Sequence, residues 1–508
     1  MTTRICFPFV RYTLNIPYPE VDIPRLKYRD CTEKRGESGK NLQENGSSND
    51  SSTSFEVNPS HSNGKSAQSK SIYAGANVPF CYTLSIHCHY IFEYSSTGSI
   101  HDSVVSFDSA IRLPDHVPRP EMRLTHFFTY FRNLGGVQAI LRRHHLNDEA
   151  RGHESRFLFS FEPDTFPEPT ISGLGIGGWN SIRGIRARFR QNADLFPEAV
   201  AVCHNMWGLQ FLADLMPAHR RIGLLHSDWT DLQPFLRSQQ GLLDGILCVS
   251  NSLVDLVVDC LPELAKENRI QLIPYPVDGL TKIPERKPLA KRPVVVGWTG
   301  RMQDEQKRVE RLPDLLKAFD AAQINYRFEL LGDGPREAWL RQQLPDDRTV
   351  FHGRQSGEAY YSVLSGWDFI TSVSDYEGLP ISMLEAFSAG VLPLFPAIGC
   401  GGDEYAERLG SDFVWEAFDF GQAADRLKSH LAKPETALGQ ARQAARELTG
   451  QHSESEYFRI FDEFVQHIAN APRLSSERLA KRPFYFSDQL PFGLMTRLWP
   501  SGCYRRNE

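Results

Sequence analysis

The stretch Met122-Arg123-Leu124-Thr125-His126-Phe127-Phe128 runs on to Leu134-Gly135-Gly136-Val137 and then a helical spacing through Ile140, Leu141 and His144. A buried strand, a glycine turn and an amphipathic helix in that order open an α/β unit. The alternation continues outward from it. Residues 199–204, 222–226 and 245–250 are short apolar runs that read as strands, with a helix over 252–259 after the last. Each run ends in a polar residue, His204, His226 or Ser250. Open parallel sheets gather their ligand groups at such carboxyl ends. A stretch rich in Pro and Lys over 284–292 reads as a linker. Beyond it, Pro293-Val294-Val295-Val296-Gly297-Trp298 starts a second alternation, with strands expected over 326–331, 349–352, 368–373 and 391–395. From Phe420 to about Asn470 the pattern is helical. The fold class is therefore α/β, with two consecutive Rossmann-like domains.

Length and composition bound the remainder. The 508 residues would hold about three domains at roughly 100–200 residues each. The formal charge of −6 argues against a dominant nucleic-acid surface. No run reaches about 18 apolar residues, so no spanning helix is expected, and the apolar patch near the N-terminus is too short for a signal-peptide core. Nine irregularly spaced cysteines without a CxxC read as free thiols of a reducing, cytoplasmic compartment. His87-Cys88-His89 alternates across a strand and is a poor chelator, so no metal is expected. Residues 36–71 contain 11 Ser, 5 Asn and 4 Gly and bury too little to order themselves. Residues 73–114 are richer in β-formers and could pair as a hairpin.

Gly173-Leu174-Gly175-Ile176-Gly177-Gly178 matches GxGxxG, but a proline-rich segment precedes it. A dinucleotide fingerprint needs a strand there, so a mobile glycine loop by the interdomain cleft is the better reading. Stronger chemistry lies in the second domain. Gly300 and Arg301 end its first strand and Lys307 follows, a cationic pair able to hold a diphosphate. Then comes Glu377-Gly378-Leu379-Pro380-Ile381, with Glu385 further along. Pro380 suits a first helical turn, which places N–H groups of 378–381 at a helix N-terminus suited to phosphate. Glu377 and Glu385 are acceptors for hydroxyls, although an ordinary surface helix would carry the same residues.

Together these segments resemble retaining GT-B glycosyltransferases of the family-4 type (glycosyl transferases group 1). Glu377 to Glu385 resembles the E-x7-E motif. Gly300-Arg301 with Lys307, the Leu331–Pro335 turn and Phe351-His352-Gly353 fit the same pattern. So do Gly135-Gly136 and, loosely, Ile273-Pro274-Tyr275-Pro276-Val277-Asp278, where Tyr275 and Pro276 depart from Asn and Gly. Cys400-Gly401-Gly402-Asp403 is an unusual loop for the family. The resemblance covers about 122–470 and is strongest over 293–400.

It implies a GT-B fold whose two Rossmann-like domains face a cleft. The expected boundaries are a low-complexity, largely disordered extension over 1–121, an acceptor domain over 122–283, the linker over 284–292, a donor domain over 293–448, and a helix and tail over 449–508. It also implies a nucleotide-diphosphate sugar of UDP or GDP type and no cofactor. Arg301 and Lys307 would hold the diphosphate, and Glu385 the ribose. Glu377, Gly378, Leu379, Pro380 and Ile381 would meet the donor sugar and phosphate, and His352, Gly353 and Arg354 the base. Gly135 and Gly136 would approach from the other domain, with His226 near the reacting sugar and His204 a weaker candidate. Because no DxD occurs, cations and a helix N-terminus must neutralise the leaving group without metal.

The leading expectation is retaining hexosyl transfer in glycan or polysaccharide biosynthesis. A nucleotide-sugar epimerase, a phosphorylase or a non-catalytic nucleotide-sugar binding protein shares the architecture. The acceptor class stays open among glycan, lipid-linked and small-molecule types. The tail over 473–508 has 7 basic and 3 acidic residues among aromatics, suited to the inner face of an anionic membrane. Without a clean amphipathic period, packing of those aromatics across the N-terminal domain is the favoured alternative.

Overall fold

The structure, a computed structural model, describes residues 4–5, 92–93, 122–132, 135–192, 199–216, 219–278, 288–474, 482 and 485–498. The chain divides into two compact units, Met1–Asp115 and His116–Glu508. In the first, Arg4–Ile5 pairs antiparallel with Phe92–Glu93; the remainder of the hairpin expected over 73–114 lies outside the described residues. The low-complexity stretch over 36–71, His87-Cys88-His89 and residues 284–287 of the expected linker lie outside the described residues.

The second unit holds two parallel sheets. The first contains β1 (Met122–Phe128), β2 (His153–Phe159), β3 (Ile171–Gly173), β4 (Val200–His204), β5 (Arg220–Leu225), β6 (Gly245–Cys248) and β7 (Ile270–Leu272). Its order is β3-β2-β1-β4-β5-β6-β7. Among the helices that cross over between strands are α1 (Gly136–Asn147), α2 (Ile182–Gln191), α3 (Leu232–Ser238) and α4 (Asn251–Cys260).

The second sheet contains β8 (Val294–Thr299), β9 (Tyr326–Leu331), β10 (Thr349–Phe351), β11 (Phe369–Thr371), β12 (Leu392–Ala397) and β13 (Val414–Glu416), in the order β10-β9-β8-β11-β12-β13. Every pairing in both sheets is parallel. Parallel sheets need both faces covered, which explains the near-continuous apolar runs at 294–298 and 200–203. Strand order reverses between β1 and β4 and again between β8 and β11. Ligand crevices of open α/β sheets form outside the strand ends at such reversals.

Around the second sheet lie α5 (Leu312–Ala321), α6 (Glu337–Gln343), α7 (Gly357–Leu364), α8 (Ile381–Ser388), α9 (Gly401–Leu409), α10 (Phe420–Leu431) and α11 (Glu435–Thr449). The last long helix, α12 (Glu454–Asn470), returns to the first sheet. Ser453 caps it by accepting from the Glu456 N–H, and its buried Tyr457, Phe458, Phe461, Phe464, Val465 and Ile468 recur at helical spacing. Ile468 and Phe464 fit against Gly245, where a Cβ would lie 2.7 Å from Ile468. The expected C-terminal helix thus covers the first of the two sheets.

The GxGxxG segment corrects the sequence reading. A strand does precede it: β3 ends on Gly173, and α2 follows at Ile182. Proline-rich sequence hid a three-residue edge strand. The segment is also held: Leu174, Gly175 and Ile176 donate to the carbonyls of Phe159, Glu162 and Ser160 at 2.8–2.9 Å, and Gly493 donates to Gly178 at 2.7 Å. Of the described tail residues, Phe492 and Met495 are buried, and Phe492 lies beside Phe161 and Trp207. Tyr485, Phe486 and Leu494 stay exposed, as does Trp179.

At Gly297 in β8 a Cβ would lie 1.9 Å from the Trp367 ring, itself pinned by its N–H to Glu329 at 3.0 Å. Gly297→Ala should destabilise by about 2 kcal/mol or more, the scale of an overpacked core. Urea unfolding measures it, and a variant within a few tenths of wild type would contradict this packing.

Candidate functional site

The crevice between β8 and β11 assembles most of the expected residues. After β8, Gly300 adopts φ 156°, and a Cβ there would lie 3.3 Å from Lys307 Cε. The Lys307 ammonium donates to Glu377 Oε1 at 2.6 Å, and Gln306 donates to Glu377 Oε2 at 3.2 Å and to the Tyr376 carbonyl at 3.1 Å. Two residues read separately, as diphosphate and sugar ligands, are therefore partners in the free protein. Side-chain exposure of 20% for Lys307 and 8% for Glu377 makes this a half-sheltered pair. Arg301 is exposed, with its guanidinium 3.5 Å from Gln303 Oε1.

Pro380 precedes α8 and no side chain caps that helix. Its first N–H groups, at Ile381 and Ser382, thus have no capping oxygen, a ready anion site. Leu379 is buried and seats the turn. Gly378 sits where nothing larger fits: a Cβ would lie 2.0 Å from the His226 carbonyl oxygen. Ser227 pairs with Gly378 in an antiparallel bridge, and the Asp228 N–H reaches the Glu377 carbonyl at 3.4 Å. From the other side, the Gly401 N–H donates to the Gly378 carbonyl at 2.7 Å. The unusual Cys400–Asp403 segment is thus a capped helix start seated on the Gly378 turn, with Asp403 accepting from the Gly399 and Cys400 N–H groups at 2.8 and 2.6 Å.

The glycine loop of the first domain arrives at the same place. Gly135 is extended at the N-cap of α1, and a Cβ on Gly136 would meet Ile381 Cδ1 at 3.1 Å. Further along α8, Glu385 accepts from the Tyr360 hydroxyl at 2.6 Å, and burial pushes its carboxyl above the ordinary value. Of the expected base-side residues, His352 is turned back to Glu329 at 2.9 Å, and the Gly353 carbonyl accepts from Gly332 at 2.9 Å. Arg354 is exposed and close enough to Arg142 of α1 to repel it.

His226 is turned inward in this structure. Its Nε2 lies 2.8 Å from His204 Nδ1 and its Nδ1 2.5 Å from the Tyr275 hydroxyl. Both ring nitrogens are occupied inside the protein, so the ring cannot meet a sugar without giving up a partner. What His226 gives the crevice in this state is its carbonyl against Gly378. His204 continues inward to His126 Nδ1 at 3.0 Å, and His126 Nε2 reaches Asp148 at 3.3 Å. Burial pushes His126 down to about 4 and His226 down to about 3, and His204 well below its ordinary value.

His126, His144 and Asp148 bring potential ligand atoms within 4.8 Å of one another. Their distances are those of hydrogen bonds, and Arg151 donates to Asp148 at 3.0 Å, placing a cation against any metal. Sequence reasoning missed Asp148, His126, Tyr275 and Tyr360. The spacing of His144 and Asp148, four apart at the end of a helix, was a usable signal for a buried pair. Tyr360 offered none.

Residues 293–432 match the family model described as glycosyl transferases group 1. Over 132 residues the chain is 31% identical to the lipopolysaccharide 1,6-galactosyltransferase of Escherichia coli (strain K12). That match covers 25% of this chain and 33% of the relative, so the chain spans about a third of the length of the curated relative it matches. A lipopolysaccharide outer core galactosyltransferase in its apo form superposes with a TM-score of 0.51 at 16% identity, over 68% of this chain and 99% of that one. A pneumococcal O-GlcNAc transferase, in complex with UDP and GlcNAc, gives a TM-score of 0.53 at 9% identity, over 69% and 99%. At these identities the likeness establishes the fold: the chain has the GT-B architecture. The resemblance read from the motifs to GT-B glycosyltransferases is borne out.

The buried histidines set a pH dependence. Their folded pKa values lie below the unfolded value of about 6.5, so the unfolded chain binds more protons in the window below it. Stability is then nearly complete above about pH 6.5 and falls as pH drops toward the folded values, by on the order of 1 kcal/mol per ring at pH 5.5. Denaturant midpoints at pH 7.5, 6.5 and 5.5 should fall across the last step, where carboxylates are still ionised; a flat midpoint would contradict neutral buried rings.

Proposed function

We propose that the protein transfers a hexose from a nucleotide-diphosphate sugar to a glycan, lipid-linked or small-molecule acceptor, with retention at the anomeric carbon and without a metal. The observation that carries this reading is the meeting of Lys307, Glu377 and the uncapped start of α8 at the β8/β11 reversal, closed from the other domain by Gly136. The galactosyltransferase relative supports a hexose, and the neighbour solved with UDP makes UDP-sugars the first donors to try.

In this reading a departing diphosphate carries the negative charge that develops as the glycosidic bond breaks. Lys307 would turn from Glu377 toward that charge, and the N–H groups of Ile381 and Ser382 would donate to the phosphate oxygens. Those backbone N–H groups, fixed at the start of α8, stabilise such charge without reorganising. Glu377, released from the ammonium, could then accept from a sugar hydroxyl, and Arg301 could swing to the outer phosphate. Glu385 would exchange the Tyr360 hydroxyl for those of the ribose. Arg354 is close enough to Arg142 to repel it, and an anionic group between them would relieve that repulsion.

Among the described residues no helix is long and apolar enough to cross a membrane. Transfer on the cytoplasmic side, with membrane contact only through the tail, is the location this reading favours.

The test is a donor screen with UDP- and GDP-sugars, reading nucleotide release and product mass. Transfer is expected with at least one donor in the presence of a chelator, and product NMR should show the donor's anomeric configuration. Lys307→Ala should lower turnover by about 10²–10³, the loss typical of one stabilising donor. Glu377→Ala should lower it at least tenfold. Epimer formation without transfer, or a Lys307→Ala variant of full activity, would overturn the assignment.

A further inference from the structure

Three histidines line up across three neighbouring strands. His126 is in β1, His204 ends β4, and His226 follows β5. Register places His126 opposite Val202 and His204 opposite Leu224. Each ring is therefore two residues further along than its neighbour, on one face of the sheet. The result is an unbroken chain of side chains: Asp148, His126, His204, His226, Tyr275. Every member is buried.

The chain has a direction. Arg151 can only donate, and it donates to Asp148 Oδ1 at 3.0 Å, as His144 Nδ1 does at 3.0 Å. Ser155 donates to Oδ2 at 2.5 Å. His144 is satisfied at its other nitrogen by the Tyr457 hydroxyl at 3.1 Å. Burial alone would raise Asp148, yet His144 and His126 hold it well below the ordinary carboxylate range. It is an acceptor. His126 must then carry its proton on Nε2 and leave Nδ1 bare. His204 must donate to that Nδ1 from its own Nε2, His226 likewise to His204, and the Tyr275 hydroxyl to His226. This assignment satisfies all four bonds with neutral rings and no additional proton.

The far end of the chain is the crevice. Tyr275 is near enough to Glu377 to feel its charge, and His226 carries the carbonyl that lies on Gly378. Three apolar side chains would fill the same space without burying polar groups.

We propose that Asp148, His126 and His204 are positioning residues that lock His226 in its Nε2–H tautomer and thereby seat the His226–Asp228 segment on the donor motif. Reversing Asp148 would reverse the chain. In Asp148→Asn the amide oxygen stays with Arg151, and the NH₂ group faces His126 Nε2. His126, His204 and His226 must then each move the proton to Nδ1. At the end, His226 Nδ1–H would donate to the Tyr275 oxygen, and the Tyr275 hydroxyl proton would turn from the ring toward the His226 carbonyl 3.5 Å away, disturbing the segment that abuts Gly378. The effect on catalysis rests on the transfer reading above; the tautomers do not.

The experiment is ¹H–¹⁵N NMR of histidine side chains in the full chain at pH 7.5, assigned by single substitution. In the wild type all three rings should be neutral Nε2–H tautomers, and in Asp148→Asn all three should be Nδ1–H. The same variant should lose at least tenfold in turnover, with the donor KM within about threefold. Any of the three rings charged or Nδ1–H in the wild type, or unchanged tautomers in a folded Asp148→Asn, would overturn the proposal. If that variant does not fold, Tyr275→Phe decides: it removes only the terminal donor, so the wild-type tautomers should persist, and a flip of His226 would overturn the lock. A wild type that transfers no sugar but shows the three Nε2–H tautomers contradicts the proposed function alone.

Discussion

The crevice depends on one close approach: the His226 carbonyl lies where any side chain at position 378 would have to be. That contact joins the carboxyl end of one sheet to the turn that starts α8. Around it the Ser227–Gly378 bridge and the Gly401–Gly378 hydrogen bond fix both sides of the turn. With the turn fixed, Glu377 points back to Lys307 and the α8 N–H groups stay uncapped. The shape of the crevice, with its uncapped N–H groups, follows from backbone crowding as much as from its charges.

The same approach explains why the first domain invests in buried polar groups. A strand end that must hold a carbonyl within contact of a glycine cannot be free to shift. The histidine chain, Tyr275 and the bond from His452 Nδ1 to the Tyr275 carbonyl at 2.8 Å brace it from behind. Tyr405 of α9 completes that brace at 2.9 Å from His452, linking both domains and the connection between α11 and α12.

Much of the fold was legible because parallel strands buried on both faces leave apolar runs that few other structures produce. β1 and β9 have the expected bounds. β3 was not legible: three residues among prolines carry no periodicity, and pairing with β2 decides them. At the site, the identity of Lys307, Glu377 and Glu385 was readable from spacing, but their partners were not. That Lys307 rests on Glu377, Tyr360 on Glu385 and His352 on Glu329 depends on which strands are neighbours. Tyr275, read as a departure from the family's pattern, fills the position where the brace needs a hydroxyl.

The central claim is that the β8/β11 crevice holds the donor's diphosphate. A crystal structure of the full chain with UDP tests it most directly. The account predicts phosphate oxygens within hydrogen-bond distance of Lys307 Nζ and the N–H groups of Ile381 and Ser382, with the ribose on Glu385. Nucleotide bound instead at the 173–178 glycine segment, or a crevice still closed by the Lys307–Glu377 pair at saturating UDP, would contradict it.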